Sequence, residues 1–128
     1  MTLLETTYST FPDMVISDLV QWIESDLTRA KSISAVARRS GYSYWHVQRL
    51  FKSITGYNLA GYIRARRMTV AAELILKGEL NITSILVQVG FTDSSTFCKS
   101  FQRYFGISPS AFRNSSLDLT DRMIAPYC

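Results

Sequence analysis

One helical face in the first half of this sequence combines an aromatic ring, an amide and two cations. Its members, at the i, i+3, i+4 and i+7 spacing of a helix, are Trp45, Gln48, Arg49 and Lys52. The opposite face is apolar at the same spacing and consists of Val47, Leu50, Phe51 and Ile54. Arginine can donate two hydrogen bonds to guanine, glutamine can pair similarly with adenine, and an indole can pack on thymine methyl groups. The polar face therefore has the composition of a surface that contacts base edges in DNA.

Capping residues and glycines mark the helix boundaries that must position this face. A glycine follows five helical patterns, as suits the left-handed position after a helix: Gly41, Gly56, Gly78, Gly90 and Gly106. The candidate N-caps are Ser32 or Ser34, Ser43, Asn81, Thr92 and Ser108. Together these signals predict seven helices, at about 13–27, 33–40, 44–55, 58–77, 82–89, 93–105 and 109–113. No segment alternates with the two-residue period of a strand, so the sequence predicts an all-α fold.

The chain contains an internal repeat. ISAVARRSGYSYWHVQRLFKSITG begins at Ile33, and ITSILVQVGFTDSSTFCKSFQRYFG begins at Ile82, with one extra residue in the second turn. Each copy indicates a short helix, a glycine-containing turn and a longer helix, which is the pattern of a helix-turn-helix unit. The longer helix of such a unit enters the DNA major groove, so we call 44–55 and 93–105 the first and second recognition helices. In the second, the residues equivalent to the polar face are Ser95, Cys98, Lys99 and Gln102, opposite the apolar Phe97, Phe101 and Tyr104.

A long helix is predicted between the two units. LAGYIRARRMTVAAELILK, residues 59–77, is rich in good helix formers, and at 1.5 Å per residue it would be roughly 28 Å long. That length can hold two recognition helices about one duplex turn, some 34 Å, apart. The arginines of this helix either contact phosphates or simply face solvent; they are Arg64, Arg66 and Arg67. The first helix should cover the core of the first unit with Ile16, Leu19, Val20, Ile23 and Leu27, and with Trp22 packed beside them.

The charge is distributed unevenly along the chain. The formal net charge is +4, but residues 1–28 hold five acidic residues and no Lys or Arg. Residues 29–113 hold thirteen Lys or Arg against three acidic residues, a net charge of +10. A basic segment of this size is a candidate footprint for a polyanion. A solvated basic surface explains the charge alone equally well.

The sequence provides little evidence for an enzyme. His46 is the one histidine and has no acidic neighbour in sequence, and Cys98 and Cys128 lack the paired spacing of metal ligands. No phosphate-binding loop or dinucleotide fingerprint is present. We therefore expect no catalysis, no metal and no cofactor. With no signal peptide, no disulfide framework and no run near the roughly 18 apolar residues of a membrane span, we expect a cytoplasmic protein.

The two recognition motifs together resemble those of a known family. GYSYWHVQRLFK at 41–52 and GFTDSSTFCKSFQRYFGISPSAFR at 90–113 are similar to the paired motifs of the AraC/XylS transcription regulators, especially the short, stand-alone MarA–SoxS–Rob branch. The resemblance covers roughly residues 13 to 113 and implies two helix-turn-helix subdomains joined by a long linker helix. The predicted division is an N-terminal extension (1–12), a first subdomain (13–57), the linker helix (58–78), a second subdomain (79–113) and a C-terminal tail (114–128).

The resemblance also implies a function. Members of the family bind specific sequences in double-stranded DNA, and the residues matching Trp45, Gln48 and Arg49 contact bases or sugars. The same holds for the residues matching Ser94, Ser95, Cys98 and Lys99, where close relatives usually carry two glutamines, a threonine and an arginine. The family likeness implies a nucleoid-associated activator that recruits RNA polymerase at promoters of stress, efflux or antibiotic-resistance genes. Residues 1–12 and 115–128 are too short for a small-molecule effector domain, so we expect a monomer controlled by its abundance.

Several alternatives fit part of the sequence. Within nucleic-acid binding, the alternatives are a repressor and a non-specific architectural protein. Outside it, the chain resembles the regulator-like module of some DNA-repair enzymes, although it holds no second domain with a catalytic cysteine, and the Trp45 face could bind a partner helix. Cys98 is either a redox sensor beside Lys99 or a small residue in place of threonine. His46 either approaches a phosphate or only flanks the interface.

Overall fold

Seven α-helices form the framework of the residues that the structure describes, 11–28 and 32–127. In this computed structural model the helices, numbered in chain order, are α1 (Phe11–Ser25), α2 (Ile33–Ser40), α3 (Tyr44–Thr55), α4 (Leu59–Lys77), α5 (Ile82–Gln88), α6 (Ser94–Phe105) and α7 (Pro109–Arg113). A 3-10 turn follows at Thr120–Arg122. Those two ranges contain no strand. The predicted all-α fold is confirmed.

Local capping determines most of the helix ends. A side-chain oxygen accepts a hydrogen bond from the backbone N–H three residues later at Ser32, Ser43, Asn58, Asn81 and Ser108. Of the two caps that the sequence offered α2, the structure uses Ser32. Four helices end at a glycine with positive φ, namely Gly41, Gly56, Gly78 and Gly106.

The start of the second recognition helix differs from the prediction. Thr92 was the expected cap, but Asp93 holds that position. Its carboxylate accepts hydrogen bonds from the backbone N–H and the hydroxyl of Thr96, both at 2.8 Å. The extra residue of the second turn lies before the cap, so Ser43 corresponds to Asp93 and not to Thr92. These hydrogen bonds hold the pKa of the Asp93 carboxyl below its usual range.

The helices enclose two hydrophobic cores, one for each helix-turn-helix unit. The first core is built from α1, α2, α3 and the start of α4, and its largest buried members include Ile16, Leu19, Ile23, Phe51 and Tyr62. The second core is built from the end of α4 with α5, α6 and α7, and includes Met68, Ile85, Phe97, Phe101 and Phe112. The core residues predicted for the first helix are all buried, although α1 ends at Ser25 and Leu27 lies beyond it; Trp22 packs beside them, partly buried.

The linker helix α4 belongs to both cores. Leu59, Tyr62 and Ile63 near its start are buried in the first core. Met68, Ala71 and Ile75 near its end are buried in the second. A helix that is covered on different faces along its length has no simple amphipathic pattern. The two cores therefore share this helix, and the division into subdomains stays a prediction; α1 begins at Phe11, two residues before the predicted start of the first subdomain.

Two of the three linker arginines contradict both sequence interpretations. Arg66 is only 6% exposed, and its guanidinium donates to both carboxylate oxygens of Glu24, each at 2.8 Å. Arg67 donates twice to the backbone carbonyl of Leu27, at 3.1 and 2.7 Å. The Arg67 guanidinium lies against Gly90, where a Cβ atom would be only 3.1 Å from the guanidinium carbon. Arg66 is shielded from solvent and Arg67 is only partly exposed, and both guanidinium groups are hydrogen-bonded within the fold, because elements distant in sequence cover that side of α4.

Candidate nucleic-acid interface

The first recognition helix, α3, separates its apolar and polar faces as predicted from the sequence. Val47 and Phe51 are fully buried, and Leu50 and Ile54 are partly buried against the same core. On the opposite side Trp45 is 63% exposed, and Arg49 and Lys52 are also exposed. An indole with this much exposed surface is costly in water, and its burial against a partner is worth a few kcal/mol, on the order of that of a core side chain.

Arg49 and Trp45 contact each other one helical turn apart. The central guanidinium carbon of Arg49 lies 4.5 Å from the centroid of the Trp45 ring. Such a cation–π contact stabilises an exposed pair by about 0.5–1 kcal/mol. The contact holds the guanidinium beside the indole, and a side chain held in place loses less entropy if it contacts a ligand.

Gln48 and Lys52 complete this polar face. Gln48 is partly buried, and its side-chain amide donates to the backbone carbonyl of Tyr44 at 3.4 Å. That long hydrogen bond is weak, so the amide can turn outward at small cost. Together with Trp45 and Arg49, these two residues line a shallow depression of about 440 Å³.

His46 lies beside the polar face and not within it. Its ring packs against that of Tyr42, with the centroids 4.6 Å apart. Its backbone N–H donates to the capping hydroxyl of Ser43. The side chain is exposed, and contact with a phosphate stays a prediction.

The second recognition helix, α6, presents a shorter set of side chains. Phe97 and Phe101 are fully buried beneath it. Ser94, Ser95 and Lys99 are exposed. Lys99 is the one long side chain of the predicted contact set on this helix, and it bonds as a point charge without arginine's planar fork.

Cys98 differs from the other predicted contact residues of α6, because it is partly buried and packs against the second core. Its sulfur lies 3.9 Å from the hydroxyl of Ser94. This position suits a small side chain that fills a gap at the edge of the core. Cys128, the other cysteine, lies outside the described residues.

The structure also identifies two cations that the sequence analysis did not pair. Arg64 of α4 and Arg103 of α6 line a common cleft of about 340 Å³, with Ser100 and Tyr104. Arg103 lies four residues after Lys99, and this i+4 spacing is the feature of the sequence that could have placed Arg103 on the same face of the helix as Lys99. Both cations are exposed, so they are candidates for contacts to the phosphate backbone.

Two kinds of feature are absent from the described residues. No group of three or more His, Cys, Asp or Glu is placed there to hold a metal ion. None of the helices in the described ranges has the length and apolar character needed to cross a bilayer.

Comparisons with known proteins agree with this geometry. Residues 36–115 match the helix-turn-helix domain family. The chain is 37% identical over 117 residues to the HTH-type transcriptional activator AarP of Providencia stuartii, covering 91% of this chain and 87% of AarP. It is 34% identical over 113 residues to the multiple antibiotic resistance protein MarA of Escherichia coli, covering 88% and 89% of the two chains. The fold is similar to the C-terminal domain of AraT, a response regulator from Geobacillus stearothermophilus, with a TM-score of 0.74, 26% identity, and 93% and 94% of the chains covered.

Proposed function

This chain belongs to the AraC/XylS family of helix-turn-helix transcription regulators, in the MarA–SoxS–Rob branch, and from that premise we propose that one molecule reads a non-palindromic DNA site through both recognition helices. The family consists of DNA-binding regulators and not of enzymes. The observation that carries the proposal is the exposed Trp45 with Arg49 stacked on it, opposite a helix face on which Val47 and Phe51 are fully buried. That pair has the shape and chemistry to enter a major groove.

In the first half of the site, each side chain has a distinct role. The Arg49 guanidinium donates to O6 and N7 of a guanine, and Gln48 pairs with an adenine after its amide turns outward. Trp45 buries its ring against thymine methyl groups or sugars and keeps Arg49 in position. Lys52, one turn further on, neutralises a phosphate.

In the second half of the site, the contacts are weaker. Ser94 and Ser95 at the start of α6 reach a phosphate or a base edge with short hydroxyl side chains. Lys99 supplies charge, and Cys98 contributes a small apolar contact. Arg64 and Arg103 hold the backbone between the two halves. With the linker helix spanning roughly 28 Å, the two halves would lie about one duplex turn apart, in a footprint of about 20 base pairs.

We further propose that the protein activates transcription at promoters of antibiotic-resistance, efflux or stress genes by recruiting RNA polymerase. The support is similarity to AarP, which is named a transcriptional activator, and to MarA, which is named a multiple antibiotic resistance protein. Its place of action would then be the cytoplasm, at the nucleoid. A repressor or an architectural protein would use the same interface, so the direction of regulation needs its own measurement.

Selection of bound sequences from a random DNA library tests the proposed function. We expect an asymmetric motif with a strong and a weak half, and sedimentation of the complex should give one protein per duplex. A symmetric motif bound by two protomers, or no enrichment at all, would overturn the proposal. Transcription in vitro from a promoter that carries the selected motif should increase with wild-type protein and not with Arg49→Ala. A decrease would identify a repressor.

A further inference from the structure

The C-terminal tail crosses the linker helix and contacts both cores. Leu119 and Met123 pack against the second core. Ile124 and Tyr127 pack against the first core. No helical periodicity in residues 114–127 predicts this course. The tail is therefore part of the fold, although it follows the last α-helix.

Buried polar groups of α4 depend on the tail for hydrogen bonds. The backbone N–H of Ile124 donates to the hydroxyl of Thr69 at 3.0 Å, and its carbonyl accepts from Arg66 at 2.5 Å. Thr69 and Arg66 are the buried polar residues among those described. A buried polar group without a partner costs about 1–3 kcal/mol, and more if it is charged. Release of the tail would thus break these hydrogen bonds and expose Thr69 and Arg66 to water.

The two ends of the tail reach the two recognition helices. The Tyr127 hydroxyl donates to the carbonyl of Ile54, in the last turn of α3, at 3.3 Å. The backbone N–H of Tyr127 donates to the hydroxyl of Tyr62 at 3.0 Å. At the other end, the hydroxyl of Tyr104 in α6 donates to the carbonyl of Arg122 at 2.7 Å, and the Arg122 guanidinium donates back to the Tyr104 carbonyl at 3.0 Å.

We propose that residues 119–127 act as a strap that fixes the orientation of α3 relative to α6, with Ile124 and Tyr127 as positioning residues for binding to a two-part DNA site. The inference rests on the proposed binding of one molecule through both recognition helices. Apart from α4, which both cores share, the tail is a segment that packs against both cores, so its contacts limit any change in the orientation of one unit relative to the other. Any orientation that does not match the duplex lowers the population that is competent to bind. A fixed orientation raises the effective concentration of the second recognition helix once the first is bound.

Binding measurements on divided sites test the strap in the full chain. The double variant Ile124→Ala/Tyr127→Ala removes the contacts at the first-core end, and Tyr104→Phe removes one hydrogen bond at the other end without changing charge. Ala125→Ser, at an exposed tail position, is the matched control. We expect the double variant to bind the complete site roughly 10-fold more weakly but to bind each isolated half like wild type. Tyr104→Phe should show a smaller loss in the same direction.

The spacing between the two half-sites provides a test that a tail with only a stabilising role would not affect. Inserting one or two base pairs between the half-sites should weaken binding of the wild-type protein steeply. The same insertion should reduce the affinity of the double variant less. Equal losses on complete and isolated half-sites would show that the tail only stabilises the fold and would overturn the inference. If wild-type protein itself ignored the second half, the two-helix mode of binding would be wrong.

A distance measurement without DNA separates these two failures. Spin labels at exposed Ser53 in α3 and Gln102 in α6, introduced as cysteines after Cys98→Ser and Cys128→Ser, report the position of one helix relative to the other. We expect the distance distribution to be narrow with the wild-type tail and broader in the double variant, with circular dichroism showing that the helices are retained. An unchanged width would overturn the strap, whatever the mode of DNA binding.

Discussion

The guanidinium of Arg49 lies over the indole of Trp45, 4.5 Å from the ring centroid, on a helix face that is otherwise open to solvent. The two residues are four positions apart, so the backbone of α3 places them side by side. Trp45 thereby has two roles in the proposed complex: it buries apolar surface on DNA, and it orients the arginine that selects a base. Both roles lead to measurable consequences.

Replacement of Trp45 should separate these two roles. Trp45→Ala should weaken specific binding about 10- to 100-fold, because it removes both the buried area and the support of Arg49. Trp45→Phe, which keeps a smaller ring, should lose less. Leu117→Ala, another exposed apolar residue, is the control and should bind like wild type. Titration of a fluorescent duplex measures all three. Wild-type affinity in Trp45→Ala would show that the face binds something other than DNA.

The two recognition helices should contribute unequally. Arg49→Ala should weaken specific binding roughly 10- to 100-fold and relax the preference at one base pair, since a two-pronged base contact discriminates by about 1–3 kcal/mol. Lys99→Ala should weaken binding more evenly across sequences. A panel of duplexes with single base changes distinguishes the two outcomes. Greater loss of discrimination in Lys99→Ala would make α6 the dominant reader.

The salt dependence of DNA binding should show how many cationic side chains contact phosphates. Of the thirteen basic residues in 29–113, Arg66 and Arg67 are engaged inside the fold. We expect five to eight phosphate contacts, and thus a slope of log K against log salt between about −4.5 and −7. Arg64→Ala and Arg103→Ala should each reduce the slope by about one. Lys77→Ala, at the opposite end of α4 from Arg64, is the control. A nearly flat dependence would favour a protein partner.

The buried ion pair between Glu24 and Arg66 should matter more for folding than for DNA affinity. Arg66→Ala leaves the Glu24 carboxylate partly buried without its counter-charge, although the Tyr62 hydroxyl still donates to it at 3.3 Å, at a cost of up to about 3–5 kcal/mol in the free energy of unfolding. The double replacement Glu24→Gln/Arg66→Met should recover much of that loss, because no charge is then left alone. Urea unfolding followed by circular dichroism measures both variants. Full stability in Arg66→Ala would mean that this pair contributes little.

The cap of α6 should make stability depend on pH in a specific direction. Because hydrogen bonds from Thr96 lower the pKa of Asp93, its contribution to stability is present above the carboxyl's unfolded pKa. It is lost as the pH falls through the lower pKa of the folded state. Asp93→Ala should therefore lower the melting temperature at neutral pH, and its difference from wild type should narrow in acid. Thr92→Ala should melt like wild type at every pH. The reverse order of the two variants would restore Thr92 as the cap.

Much of this protein follows from sequence alone, because the determinants are local. Helix ends depend on a capping side chain and a glycine a few residues away, so the limits of α3 were predicted to the residue. The division of α3 into a buried face with Phe51 and an exposed face with Trp45 follows from the 3.6-residue period. The paired motifs were sufficient to identify the family.

Tertiary structure decided the features that depend on residues far apart in the chain. Local sequence gives no sign that the charged Arg66 of α4 is buried. It is buried because Glu24, 42 residues earlier, neutralises its charge and Ile124, 58 residues later, covers it. The course of the tail likewise depends on Thr69 and Tyr62, which no local pattern connects to it. A helix period predicts which residues share a face, but the elements that pack against that face determine whether it is buried, and in α4 those elements come from both cores and from the end of the chain.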